Sequence, residues 1–230
     1  MKPYIKFLFA LFILLFSVQG LFSLETTKVE AEGYLRSEYT RSNDFLCEVS
    51  AIGTIELDNM YVLKSGLGVG RTLIDTNLNF FLNAGVSPFT LPLSFSASYY
   101  YNGLPEYETH THSFLPLISY HGDRAGISLG CNFRFTYFFG EEAQYESVLS
   151  FNVFYNFINN DTLLLGINIG NFDDFYAKNM GAYSLNILGV IKLNDNWGII
   201  NNIEYQQSGG DGLTTTLYGV AWKTGVKYTW

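Results

Sequence analysis

Apolar and polar residues alternate one for one along most of the chain from Lys28 onward. Phe89, Leu91, Leu93, Phe95, Ala97, Tyr99 and Tyr101 interleave with Thr90, Pro92, Ser94, Ser96, Ser98 and Tyr100. Ile127, Leu129, Cys131, Phe133, Phe135 and Tyr137 interleave in the same way with Ser128, Gly130, Asn132, Arg134 and Thr136. A period of two belongs to a β-strand whose faces meet different surroundings. It predicts strands over 28–40, 44–57, 60–71, 78–86, 89–101, 110–120, 125–138, 146–158, 162–171, 183–193, 197–207 and 214–230. The segment 110–120 alternates least, because Phe114, Leu115, Leu117 and Ile118 favour neither face.

The connections alternate in length. Tight turns fall at Asp58-Asn59, Ser87-Pro88, His121-Gly122-Asp123-Arg124, Asn159-Asn160-Asp161 and Asn194-Asp195-Asn196. Longer loops run over 72–77, 102–109, 139–145, 172–182 and 208–213. This is an antiparallel up-and-down order with an even strand count of about twelve, ten or eight being the alternatives. Most strands supply the roughly ten residues that a tilted span of ~25 Å needs.

Composition says what surrounds these strands. Lys2 and Lys6 precede an unbroken apolar stretch, Phe7 to Phe16, and then Ser17-Val18-Gln19-Gly20. That is the layout of a secretory signal peptide over 1–20, which leaves 21–230 as the folded unit. The stretch is shorter than the ~20 residues a helical span requires, and no other long apolar run follows. Charged residues make up 15% of the chain and aromatic residues 17%, whereas soluble proteins average about 25% charged. An exported chain of this kind is expected to be all-β, a transmembrane β-barrel with its apolar face in lipid. The soluble rival, a lipocalin-like barrel, would present a nearly uncharged Ser/Gly/Asn face to water and has only eight strands. The formal charge is −8 and becomes two units more negative without Lys2 and Lys6, which makes nucleic acid an implausible partner. No motif calls for a cofactor.

The last strand carries a more specific signal. Tyr218, Val220, Trp222, Thr224, Val226, Tyr228 and Trp230 alternate with Gly219, Ala221, Lys223, Gly225, Lys227 and Thr229. This segment resembles the C-terminal strand of bacterial outer-membrane β-barrels. The resemblance implies residence in the cell outer membrane among its lipids. It also implies recognition by the barrel-assembly machinery, with Trp222, Val226, Tyr228 and Trp230 as the assembly signal. Short turns then face the periplasm and longer loops the exterior. The aromatic residues sort accordingly. Tyr61, Phe89, Tyr155, Phe157, Trp197, Tyr228 and Trp230 mark one interface, and Tyr39, Phe45, Tyr99, Tyr101, Tyr137, Phe139, Tyr183 and Tyr205 the other. Within this family the chain resembles small barrels of the narrow porin type, with no particular subfamily indicated. The implied activity is passive diffusion of small polar solutes.

If the polar face lines the interior, the candidate lumen residues are Glu30, Glu32, Arg36, Glu48, Glu56, Lys64, Arg134, Lys223 and Lys227. Closure of the last strand on the first brings Lys223 and Lys227 toward Glu30 and Glu32. The opposite wall, near Ser94, Asn132, Arg134, Asn152 and Asn168, is mostly neutral. Twelve strands ~4.8 Å apart and tilted ~40° give a backbone diameter of roughly 24 Å, leaving on the order of 10 Å after inward side chains. A narrow channel is expected, against the alternative of charges that neutralise one another and fill a closed barrel.

Three other chemistries have to be weighed. His110 and His112 share one side of an extended segment near Glu106 and Glu108, a set that could hold a divalent metal at the mouth or form a plain polar rim. A lipid-active enzyme would need a nucleophile and a base in reach, but adjacency sends His112 and Ser113 to opposite faces. Asp173, Asp174 and Asp211 fall on external loops without a base. A structural or surface-binding barrel is the remaining alternative. Cys47 and Cys131 fall on apolar faces of the second and seventh strands, so both thiols are expected to be free and in lipid.

Overall fold

The computed structural model describes residues 25–40, 45–72, 75–87, 92–175, 182–209 and 215–230. The expected signal peptide, Phe89 and Asp211 lie outside these residues. Twelve strands follow one another: β1 (Thr26–Thr40), β2 (Phe45–Leu57), β3 (Tyr61–Arg71), β4 (Thr76–Val86), β5 (Leu93–Leu104) and β6 (Thr109–His121). They continue as β7 (Ala125–Tyr137), β8 (Gln144–Asn159), β9 (Leu163–Gly170), β10 (Ala182–Lys192), β11 (Trp197–Gly209) and β12 (Thr215–Thr229). Each pairs antiparallel with its sequence neighbours, and β12 pairs with β1 to close a barrel. Closure leaves no strand edge unpaired.

The turns at the end carrying Thr26 and Thr229 have local causes. Asp58 and Asn59 both adopt positive φ, at 50° and 53°. Met60 N–H donates to the Leu57 carbonyl, closing a tight turn whose two central residues have positive φ, a conformation that suits Asp and Asn, and Leu57 pairs with Tyr61 across it. Asn160 and Asn194 close two further turns by accepting backbone N–H bonds, from Thr162 and Leu163 and from Asn196 and Trp197. At the opposite end a short 3₁₀ turn, Pro105–Tyr107, links β5 to β6. There Glu106 binds Arg71 at 2.5 Å and the Thr76 N–H at 2.7 Å, tying the turn to β3 and β4. Hydrogen bonding with Asp75, then with Arg71, lowers the Glu106 carboxyl to about 2.

Along the described strands the exposed apolar side chains point outward. Val49 and Leu67 expose 64% and 63% of their surfaces, and Leu129, Leu149, Ile187 and Trp222 are likewise exposed. A row of such residues around a closed barrel is a lipid-facing band and not a water-facing one. Aromatic contacts gather at its two rims. At the turn end Tyr228 packs on Trp197 and Trp230, with ring centroids 4.7 and 4.5 Å apart. At the loop end Phe135 meets Tyr145 at 5.0 Å. Cys47 and Cys131 are both free and lie on this outer side.

β6 departs from simple alternation because both its faces are apolar. Leu115 and Leu117 are buried inward, while Phe114, Pro116 and Ile118 face out. Pro116 offers no N–H to the ladder, and its carbonyl leans toward β7. A Cβ at Gly130 would sit 2.1 Å from that carbonyl oxygen, so only glycine fits opposite it. Inside, the barrel is partly filled. Tyr34, Ile52, Phe81, Tyr100, Leu115, Leu117, Phe175 and Ile200 form one cluster, with Phe172, Leu188 and Val190 against it.

Candidate functional site

Charge concentrates on the inner faces of β1, β3 and β12. The β1–β12 register sets Glu32 beside Lys227 and Arg36 beside Lys223. Lys227 Nζ lies 2.7 Å from Glu30 and 3.7 Å from Glu32, and Lys28 also reaches Glu30 at 2.7 Å. Arg36 Nη2 donates to Glu38 at 2.8 Å and to Glu204 at 3.1 Å. The Ser184 hydroxyl donates to the other Glu204 oxygen at 2.5 Å. Tyr34 donates to Glu32 from the same face. Lys223 makes a different contact, with its Nζ 3.9 Å from the centre of the Tyr34 ring. That ring lies against Gly225, where a Cβ would come within 2.4 Å of it, so glycine at 225 makes the contact possible.

A strap crosses the interior. The chain leaving β9 turns inward over Asn171–Phe175 instead of standing outside the barrel, which corrects the expectation that Asp173 and Asp174 sit on an external loop. Asp174 accepts from Lys64 Nζ at 2.5 Å, and Lys64 is only the fourth residue of β3 from the turn end. Tyr100 OH donates to the Asp173 carbonyl at 3.1 Å, and Asn102 Nδ2 donates to the Phe175 carbonyl at 3.0 Å. Asp173 Oδ2 stands 3.9 Å from Arg36. Phe175 is 3% exposed and meets Phe81 edge-on at 5.0 Å. Burial alone would push the Asp174 carboxyl up. Lys64 and Lys223 outweigh it and hold the group below the usual carboxylate range, with about a third of the side chain still open to the lumen.

Below the strap lies a cavity of about 910 Å³. Asp161, Lys192 and Asp195 line its mouth at the turn end, and Phe172, Asp173 and Asp174 line its strap side. Of the nine candidate lumen residues, Glu30, Glu32, Arg36, Lys64, Lys223 and Lys227 stand on its wall. Glu48, Glu56 and Arg134 face inward elsewhere. Glu48 is buried and accepts from Asn79 Nδ2 at 2.6 Å. Arg134 pairs with Glu146 at 2.5 Å toward the loop end, and Glu56 lies off the cavity wall. The wall also has an apolar sector that strict alternation along the strands does not announce. Leu164, Val190 and Ile200 are successive inward residues across β9, β10 and β11, and the same row continues through Gly225 to Tyr34.

Known structures share this architecture. No protein-family model matches the sequence, and no curated protein matches it. An outer membrane channel from Pseudomonas putida F1 superposes over 90% of this chain and 97% of its own, at a TM-score of 0.58 and 9% identity. The NanC porin does so over 85% and 98%, at 0.55 and 8%. The KdgM porin does so over 86% and 98%, at 0.54 and 12%. The fold is that of the bacterial outer-membrane β-barrels. At these identities the likeness extends to the fold, and the contents of the lumen belong to this chain.

The rival chemistries meet the same geometry. His110 and His112 point to the outer side, where Tyr101 and Tyr99 hydroxyls lie 2.9 and 2.8 Å from their Nδ1 atoms. Glu106 is engaged elsewhere, by Arg71 and Thr76, so these residues are not brought into one cluster. Among the described residues no three His, Cys, Asp or Glu side chains are poised around one metal position. Ser113 is buried on the inner side of β6 while His112 faces out, so the pair cannot act on one substrate atom.

Proposed function

We propose that this barrel is a narrow passive channel for small polar solutes across the outer membrane. The observation that carries this reading is the 910 Å³ cavity inside the barrel, walled by charged side chains and narrowed by the 171–175 strap. A barrel serving only as a scaffold gains nothing from keeping so many ionised groups around an unfilled interior, since each desolvated charge must be compensated. Solutes are sorted by the size of the cavity under the strap and by the mixed field of Lys, Arg, Glu and Asp side chains. The short turns face the periplasm in this reading. Export uses residues 1–20 as a signal peptide, and Trp222, Val226, Tyr228 and Trp230 present the outward stripe that the assembly machinery reads.

Planar-bilayer recording of the purified protein tests the channel directly. Discrete, ohmic conductance steps are expected in potassium chloride, together with swelling of liposomes in small sugars or amino acids. Silence in both assays, from protein that is folded by circular dichroism and by heat-modifiable gel shift, would overturn the reading in favour of a structural barrel.

A further inference from the structure

The cavity wall is amphipathic in a way that a passage for small polar solutes does not require. Leu188 and Val190 of β10 and Ile200 of β11 form an apolar strip, and Phe172 of the strap packs, as Leu188 and Val190 do, against the core cluster that contains Ile200 and Phe175. Directly beside the strip stands Lys223, since Leu188, Asn202 and Lys223 are register neighbours on adjacent strands, each ~5 Å from the next. Lys223 makes no ion pair within 4 Å among the described residues, and its ammonium rests on the Tyr34 ring. The strap supplies the opposite sign from above. Asp173 and Asp174 keep 40% and 34% of their side-chain surface open and face the same space. Lys223 is close enough for its charge to act on Asp174.

An apolar strip, a cation that makes no ion pair with the other described residues, and the exposed edges of two carboxylates that face Lys64 and Arg36 on their other sides therefore converge on one volume. A simple anion would gain from Lys223 and be repelled by the strap, and a simple cation would meet the reverse. A ligand bearing both charges on one carbon, with an apolar branch, satisfies all three surfaces at once. We propose that the lumen holds a binding site for a free α-amino acid with an apolar side chain. Its carboxylate is held by Lys223, its ammonium by Asp173 and Asp174, and its side chain by Leu188, Val190 and Ile200. The proposal deepens the channel reading by naming the solute class that the passage prefers.

The test uses the protein purified in detergent and four probes that differ by one group each. Leucine carries all three features, serine lacks the apolar branch, 4-methylpentanoate lacks the ammonium, and 3-methylbutylamine lacks the carboxylate. Saturation-transfer NMR titrations should place leucine about tenfold or more tighter than serine, the scale expected for burying part of an aliphatic side chain. Each singly charged analogue should fall at least fivefold below leucine. Lys223→Gln should weaken leucine and 4-methylpentanoate alike while leaving 3-methylbutylamine unchanged, and Val190→Asn should narrow the gap between leucine and serine. Heat-modifiable gel shift checks that both variants fold, and the four wild-type titrations decide the matter even if neither does. Equal binding of leucine and serine, equal binding of leucine and 4-methylpentanoate, or no binding by any probe would overturn the site. Conductance of the same preparation separates the two readings. A conducting barrel indifferent to the four probes sinks the amino-acid site alone, and a leucine-binding barrel that never conducts sinks the channel alone.

Discussion

Releasing the strap should widen the lumen, and the size of the effect can be worked from its contacts. Lys64 and Asp174 stand 2.5 Å apart with 26% and 34% of their side chains exposed. Their gross attraction at an intermediate dielectric is about 5 kcal/mol, and desolvation and competing water reduce the net to about 1.5 kcal/mol. Burying Phe175 against Phe81 contributes about 2.5 kcal/mol. The hydrogen bonds from Tyr100 and Asn102 contribute about 1 kcal/mol each. Ordering the four residues Phe172–Phe175 costs about 4 kcal/mol. The remainder, about 2 kcal/mol, corresponds to roughly thirty docked molecules for each undocked one. Asp174→Asn should lower that ratio to about two to one, so a wider conductance state should rise from a few per cent to about a third of recorded time. Phe175→Ala removes the larger contribution and should make the wide state predominate. Single-channel recording in planar bilayers measures both. If Phe175→Ala leaves the conductance histogram unchanged, the strap does not obstruct the path. If Asp174→Asn alone opens the barrel fully, the apolar anchor has been overvalued.

Four further outcomes are expected. Asp174 has a lowered carboxyl pKa, so its contribution to docking is complete above the ordinary value of about 3.9 and is lost as pH falls through the lower folded value. Wild-type conductance should therefore be flat between about pH 7 and 5 and rise only below about 4, a rise that Asp174→Asn should abolish. Glu106, lowered to about 2, should keep the 3₁₀ turn tied to β3 and β4 as pH falls through its ordinary value of 4.5 and release it only as pH approaches about 2, as followed by NMR titration of its carboxyl; a midpoint at the ordinary value would contradict the described contacts. Cys47 and Cys131, on opposite sides of a barrel roughly 24 Å across, should both react with an apolar maleimide and resist a charged one, whereas an intramolecular disulfide would refute the strand order. Trp230→Ala should remove the 4.5 Å contact with Tyr228 and reduce folded yield in membranes by heat-modifiable gel shift, and an undiminished yield would count against its role in assembly.

What the sequence discloses and what it hides follow from where each residue finds its partner. Strands such as β7 are legible because lipid and lumen demand opposite side chains at successive positions, and Ile127, Leu129 and Phe133 answer to one while Ser128, Asn132 and Arg134 answer to the other. The β1–β12 charges are legible for a related reason, since closure of an up-and-down barrel makes Glu30, Glu32 and Lys227 neighbours without any knowledge of loops. Legibility fails where a side chain is satisfied by something other than its own sheet. Leu115 and Leu117 of β6 look misplaced on an inner face until Phe175 and Phe172 are seen to enter the barrel and share their cluster. Asp173 and Asp174 read as loop residues because their partners, Lys64 and Arg36, lie more than a hundred residues away.

One sequence signal did point to the strap. Two phenylalanines, Phe172 and Phe175, flank the aspartates in a segment assigned to water, and a loop spends apolar surface of that kind only where it can bury it. The run Ile187-Leu188-Gly189-Val190-Ile191 in β10 carries the complementary signal, because an apolar residue at every position means that both faces of the strand meet apolar surroundings. The outer face meets lipid through Ile187 and Ile191, and the inner face meets the cavity and the core cluster that includes Phe175 through Leu188 and Val190. An inward loop and an apolar inner wall are thus two halves of one feature. Each supplies the burial that the other lacks, and that mutual dependence is why neither is visible from strand periodicity alone.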